Sequence, residues 1–214
     1  MEVQCTGISY SETGYFSKLV TDYLERNAQL QPFYLHTPDL DGIRNAIASR
    51  QQFPQQRDAL VQQLRAQYAG LAVHENTDAN IALLEHDNVF TITTAHQPNI
   101  FTGPLYFIYK ILHTIKLAQY LHQQLPEYNF VPVYYMGSED ADLEEIGTIS
   151  VDGVPYQWQT NQTGAVGRMK VDNAFLQLIA TMQGQLGVLP HGQDLVAIYR
   201  KCYTKGKSIQ QATL

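Results

Sequence analysis

The sequence predicts an α/β chain built around a single strand–helix–strand crossover. Three observations carry that reading. An apolar, β-branched run, Val89-Phe90-Thr91-Ile92-Thr93-Thr94-Ala95, is followed by the polar turn His96-Gln97-Pro98-Asn99 and then by Thr102-Gly103-Pro104. A long amphipathic stretch runs from Leu105 to Gln124. A second apolar run, Phe130 to Met136, ends in Gly137-Ser138-Glu139-Asp140-Ala141-Asp142. Such a crossover makes the two strands parallel and their connection right-handed. Both polar turns then lie at the carboxyl edge of the sheet, where open parallel sheets bind ligands.

Ahead of the crossover the chain is expected to be mostly helical. Ser17 to Gln29 carries Leu19, Val20, Tyr23 and Leu24 at helical spacing. Pro32 and Pro38 bracket a piece expected to be extended, Phe33 to Thr37. Asp39 to Arg50 restarts a helix with Asp39 or Asp41 as its N-cap. Gln55 to Tyr68 puts Leu60, Val61, Leu64 and Tyr68 on one face and ends near Gly70. Ala79 to Leu84 is helical too. The Gln-rich stretch from Gln51 to Gln67 reads as a solvated helical face.

In the crossover helix, Gly103 at or near the N-cap and Pro104 at the first helical position give a clean start. Leu105, Ile108, Leu112, Ile115 and Ala118 form the expected buried stripe, with Tyr106, Lys110, His113 and Tyr120 off it. Pro132 conflicts with a central strand position, so it is expected at the strand's first residues or at a bulge. Beyond Glu145, Thr148-Ile149-Ser150-Val151 and Val154-Pro155-Tyr156-Gln157-Trp158 flank Asp152-Gly153, which predicts a hairpin. Gly164 to Val171 reads as a loop entering another strand. Asn173 to Gln183 is expected to be helix, Gln193 to Lys201 a short helix or loop, and Lys207 to Leu214 the start of a further helix. Two parallel strands do not complete a sheet of this kind. The expectation is an N-terminal piece of a longer protein, or a chain that borrows strands from a partner.

Composition narrows the function. At 214 residues and 44% hydrophobic, the chain is long and apolar enough for a sizeable core. Its net charge is −6 and no basic block is present, which argues against a broad nucleic-acid-binding face. Cys5 and Cys202 sit near opposite ends in no metal-ligand spacing, which fits a reducing compartment. No secretory signal and no membrane-spanning apolar run is visible. The expected location is the cytoplasm.

The candidate site residues follow from the two turns. His96 ends a strand and precedes a helix, which suits a ligand contact or proton transfer. A structural histidine bonding the turn backbone is the alternative. Gln97 and Asn99 share its turn. Thr102 and Gly103 open a long helix, whose free N–H groups and dipole favour an anion. The pattern is neither a P-loop nor a dinucleotide fingerprint, because the Gly-Lys-Ser/Thr and the glycine spacing are absent. Ser138, Glu139, Asp140 and Asp142 stand ready to hold an amino group, sugar hydroxyls or Mg²⁺, or to act as a base. Glu144 and Glu145 read as first-turn helix acids. Lys110 is in reach of a phosphate or is simply a surface lysine. Arg168, in a glycine-bounded loop, is placed to clamp a carboxylate.

Taken together, Thr94-Ala95-His96-Gln97-Pro98, Phe101-Thr102-Gly103-Pro104-Leu105-Tyr106, Ile108-Tyr109-Lys110-Ile111-Leu112 and Gly137-Ser138-Glu139-Asp140-Ala141-Asp142 resemble the cysteine-adding enzymes of bacillithiol biosynthesis, the cysteine ligase BshC family. Phe33-Tyr34 and Gly164-Ala165-Val166-Gly167-Arg168 look similar as well. The resemblance implies a partial Rossmann-like, class I aminoacyl-tRNA-synthetase-like core. It implies an N-terminal helical segment over 1–85, a first βαβ segment over 86–146 and the start of a connective insertion over 147–214. A coiled coil in the missing part would form a homodimer. The implied reaction joins the carboxyl of cysteine to the amino group of glucosaminyl-malate, with ATP as the suspected cosubstrate and Mg²⁺ undecided. Catalytic roles then fall to His96, Asp140 and Asp142. Binding roles fall to Gln97, Asn99, Thr102, Gly103, Ser138, Glu139, Lys110 and Arg168. One departure is plain: synthetases of class I carry His-x-Gly-His after the first strand, and His96-Gln97-Pro98-Asn99 has no second histidine in register. Two rival readings are another nucleotidyl-transferase-like enzyme on the same core and a non-catalytic assembly fragment.

Overall fold

The computed structural model describes residues 4–71 and 73–214. By packing, the chain divides into two compact units, Met1–Leu71 and Ala72–Leu214. Among its described residues the first holds four α-helices, α1 (Tyr10–Thr13), α2 (Lys18–Leu24), α3 (Leu40–Gln51) and α4 (Arg57–Tyr68). Asp39 caps α3 by accepting the Gly42 N–H at 2.8 Å, one of the two caps expected. Ile47 and Val61 are its buried apolar side chains. The helix expected to reach Gln29 stops at Leu24, because Arg26 takes a left-handed φ of 59°. A 3₁₀ turn, Ala28–Phe33, follows, so the expected extended piece is instead a turn and an irregular connection.

The second unit opens with α5 (Glu75–Leu83). Sequence grouped this helix with the N-terminal segment, but it packs on the second strand. Strands β1 (Val89–His96) and β2 (Asn129–Met136) pair in parallel, from Val89↔Asn129 to His96↔Met136. The ladder carries no register shift, so both strands end level and their turns begin side by side. The crossover helix α6 (Leu105–Gln124) packs across both strands.

Three expectations change here. The helix α6 buries Phe107, Thr114, Ala118 and Leu121, while Leu105 is 66% and Leu112 is 52% exposed. The helix is apolar nearly all round, so spacing alone did not choose its inner face. Pro104, with ψ of 147°, is the N-cap itself and not the first helical residue. Pro132 sits fourth in β2, opposite Ile92, without a bulge. Among the described residues β2 has β1 as its only ladder partner, and an edge strand tolerates a missing N–H.

After α7 (Leu143–Ile146), strands β3 (Thr148–Val151) and β4 (Val154–Gln157) form the expected hairpin. Asp152 and Gly153 both have positive φ, 49° and 78°, as a two-residue type I′ turn requires. The strand expected after Gly164 is a 3₁₀ turn, Val166–Arg168, followed by a single bridge from Lys170 to Ser208. Helices α8 (Asn173–Leu186), α9 (Gly192–Cys202) and α10 (Ile209–Thr213) complete the unit.

The main core gathers Ile100, Phe101, Ile146, Trp158, Val166, Phe175, Ile179, Met182, Tyr203 and Ile209 among its buried side chains. It therefore joins the turn after β1 to the elements beyond residue 147. Asp172 organises its polar edge. One carboxylate oxygen accepts the Phe175 N–H at 2.9 Å and the Trp158 indole N–H at 3.0 Å; the other accepts the Thr160 hydroxyl at 2.9 Å. Burial pushes its carboxyl up, but these bonds and that of Gln162 win and hold it below the usual carboxylate range. Asp172→Ala removes the cap of α8 and strands the buried indole N–H. The expected loss is about 2–4 kcal/mol, read as a lower urea midpoint at unchanged slope.

Candidate functional site

The level ends of β1 and β2 bring the two polar turns into contact. The His96 carbonyl accepts the Gly137 N–H at 3.0 Å and the Tyr134 hydroxyl at 3.0 Å. The Gln97 side-chain amide donates to Asp140 Oδ2 at 3.1 Å, across 43 residues of sequence. Asp140 Oδ1 accepts the Asp142 N–H at 2.9 Å. The Asp142 N–H and then the Gln97 amide hold the Asp140 carboxyl below the usual carboxylate range. Asp140 therefore works as an anion fixed in place. The carbonyl of Asp140 accepts the Val166 N–H at 2.8 Å, and Gly167 packs so closely on Ser138 that a Cβ would meet it at 2.6 Å. This pins the turn that carries the exposed Arg168 to the end of β2.

The turn from β1 into α6 is strained. Phe101, Thr102 and Gly103 have φ of 52°, 68° and 55° in succession. Each non-glycine residue in this region costs roughly 1–3 kcal/mol. The cost is offset at Phe101. Its N–H donates to the Tyr203 hydroxyl at 3.0 Å, and its carbonyl accepts the Tyr199 hydroxyl at 3.3 Å. Its ring lies 4.8–5.1 Å from those of Phe175, Tyr199 and Tyr203. Gly103, at ψ −147°, lies where only glycine is comfortable, and a Cβ there would meet Asn99 Cβ at 2.5 Å. No side chain caps the α6 N-terminus. Its first-turn N–H groups thus keep their positive end free of any side-chain acceptor.

The whole chain, residues 1–214, matches the family model described as Bacillithiol biosynthesis BshC, N-terminal Rossmann-like domain. The chain belongs to the BshC family. It is 38% identical over 209 residues to a protein of Flavobacterium psychrophilum and 40% identical over 210 residues to one of Flavobacterium johnsoniae, both provisionally named as the cysteine ligase BshC. Each alignment covers 96% of this chain and 39% of the relative. A protein of the same name from Desulforamulus reducens is 31% identical over 182 residues, covering 84% of this chain and 34% of the relative. The chain thus spans about two fifths of the length of the curated relatives it matches.

In this BshC-family chain, His96, Gln97, Gly103, Ser138 and Asp140 come from elements that meet at the carboxyl edge. Glu139 is exposed there and accepts the Tyr135 hydroxyl at 3.3 Å. Asn99 is 2% exposed beneath Gly103, and its Oδ1 has no hydrogen-bond partner among the described residues. Asp142 caps α7 by accepting the Glu145 N–H at 3.1 Å. Lys110 donates from Nζ to the Ala95 carbonyl at 2.6 Å, tying α6 to the end of β1. No helix among the described residues is long and apolar enough to cross a membrane, and no three His, Cys, Asp or Glu among them gather as a metal site. A cavity of about 460 Å³ lies at the other end of the sheet, lined by Asn80, Gln119, His122, Asn129 and Phe130 among others.

Sequence reasoning passed over four tyrosines that shape the site: Tyr106, Tyr134, Tyr199 and Tyr203. Tyr106 carried a usable signal, since it stands in the first turn of the helix that the His96 turn feeds. Tyr199 and Tyr203 sit about 100 residues away and gave none. Burial pushes the Tyr203 phenol up to about 12. The folded chain then holds this proton more tightly than the unfolded chain, whose phenol titrates at about 10. The stabilisation is complete below pH about 10 and is lost as pH rises through about 12. Tyr203→Phe removes that part of the alkaline loss and strands the Phe101 N–H. We expect about 1–3 kcal/mol lower stability at neutral pH and a flatter decline above pH about 10, measured by urea unfolding across pH.

Proposed function

We propose that the parent protein is an amide-forming ligase that joins the cysteine carboxyl to the amino group of glucosaminyl-malate, and that this chain supplies one wall of its active site. The observation that carries the reading is the meeting of the uncapped α6 N-terminus with His96 and the Gln97–Asp140 pair, in a chain of the BshC family. An amide does not form from a free carboxylate in water without activation. ATP, as cosubstrate, would supply that activation.

The residues present fit such a nucleotide. Gly103 lets the backbone approach a phosphate, and the Leu105 and Tyr106 N–H groups of the first turn of α6 would be its donors, that of Phe107 being bonded to the Pro104 carbonyl. His96 stands beside them to hold or move a proton. Thr102 is exposed in the same turn, and Arg168 is exposed on the turn that packs against Ser138. Glu139 and Asp140 would hold the cysteine ammonium or sugar hydroxyls. A Mg²⁺ ion bound with a nucleotide commonly takes only one or two carboxylates, and these two are the side chains that would provide them. Asn99 and Lys110 support the turn from beneath and from α6, and Asp142 supports it by capping α7.

The proposal extends to a class I synthetase-like core completed outside residues 1–214, to a homodimer formed there through a coiled coil, and to a cytoplasmic setting suited to two free cysteines. Residues 1–214 alone are expected to be inactive.

The test uses the full-length protein with cysteine and glucosaminyl-malate, with and without ATP and Mg²⁺, following the thiol product by mass spectrometry. Product that requires ATP is the expected result. His96→Ala should lower turnover by about 100-fold or more. Turnover unchanged by that substitution ends the role of His96, and absence of product under every condition ends the ligase reading.

A further inference from the structure

Both ring nitrogens of His96 are engaged. Nδ1 lies 3.2 Å from the Gln97 carbonyl, which can only accept, so Nδ1 carries the proton. Nε2 lies 3.0 Å from the Tyr106 hydroxyl. In the neutral ring Nε2 is then the acceptor and the phenol the donor. The Tyr106 ring lies beside the imidazole, tilted by 49° with centroids 5.1 Å apart, and Phe107 meets the imidazole edge-on at 5.5 Å. Tyr106 and Lys110 are one helical turn apart and hold consecutive residues at the end of β1: Tyr106 the His96 ring, Lys110 the Ala95 carbonyl. The α6 helix thus sets the ring orientation through two neighbouring contacts on one face.

We propose that Tyr106 is the positioning residue of His96: the Gln97 carbonyl selects the Nδ1–H tautomer, and the Tyr106 hydroxyl, donating to Nε2, holds the ring in one orientation. A free imidazole exchanges between two tautomers, and a fixed one presents a single lone pair in a single direction. The tautomer assignment stands on geometry alone, whereas the effect on turnover rests on the ligase reading above.

The experiment is ¹⁵N NMR of the imidazole nitrogens in full-length protein labelled at histidine, with His96 signals assigned by their loss in His96→Asn. The wild type should show a protonated Nδ1 and an unprotonated, hydrogen-bonded Nε2 at neutral pH. Tyr106→Phe keeps the aromatic ring beside the imidazole and removes only the hydroxyl, and a thermal melt confirms that it folds. In that variant Nδ1 should stay protonated while the Nε2 signal moves to that of an acceptor nitrogen without a hydrogen bond, and kcat should fall roughly tenfold with KM little changed. An unchanged Nε2 signal in Tyr106→Phe overturns the proposal. A changed Nε2 signal together with full activity in His96→Ala leaves the positioning intact and overturns only the catalytic reading.

Discussion

The clamp on the Phe101 peptide is the contact on which the candidate site depends. The turn from β1 into α6 runs through three left-handed residues, two of them with side chains that disfavour this region. Left to itself it would relax. It is held because Tyr203 accepts the Phe101 N–H, Tyr199 donates to its carbonyl, and the ring fills an aromatic pocket with Phe175. Burying a phenylalanine contributes about 1.5–3 kcal/mol, and each hydrogen bond about 1 kcal/mol. That is of the size needed to offset the strain. Elements beyond residue 147 therefore act on the helix start directly, through a shared core.

The second strand end is held the same way. The Val166–Arg168 turn donates to the Asp140 carbonyl and seats Gly167 on Ser138. Both polar turns are thus backed by the segment that sequence had read as the opening of an insertion. In physical terms, residues 147–214 are part of the scaffold of the edge where His96 and Asp140 stand. The Asp140 carboxylate is held by Gln97, and the start of α6 by its neighbour His96 through Tyr106, so the anion and the helix start are both tied to the one turn after β1.

Much of this was legible in the sequence. The strand–turn–helix–strand order placed His96, Gln97, Gly103 and Asp140 at one edge because chain direction and crossover handedness leave little choice. The Asp39 cap and the Asp152-Gly153 turn were readable because short-range chemistry decides them. The inner face of α6 was legible only at Ala118, because nearly every face carries apolar residues and only docking on the sheet selects Phe107, Thr114 and Leu121. Pro132 was misplaced for a related reason: its tolerance depends on which strands flank it, which is a tertiary fact. The tyrosine clamp was beyond local reasoning altogether, since it joins residue 101 to residues 199 and 203.

The packing of Gly103 against Asn99 also bears on how this family can vary. The two positions share one small volume, so a side chain at 103 competes with the one at 99. A side chain can enter at position 103 only if the one at position 99 shrinks, and the positive φ of Gly103 would still weigh against it. The reverse exchange, a glycine at position 99 with glycine kept at 103, relieves the crowding and removes a buried amide whose oxygen lacks a partner among the described residues. The contact is therefore one-sided: position 99 tolerates a smaller side chain, whereas position 103 accepts none while Asn99 is present.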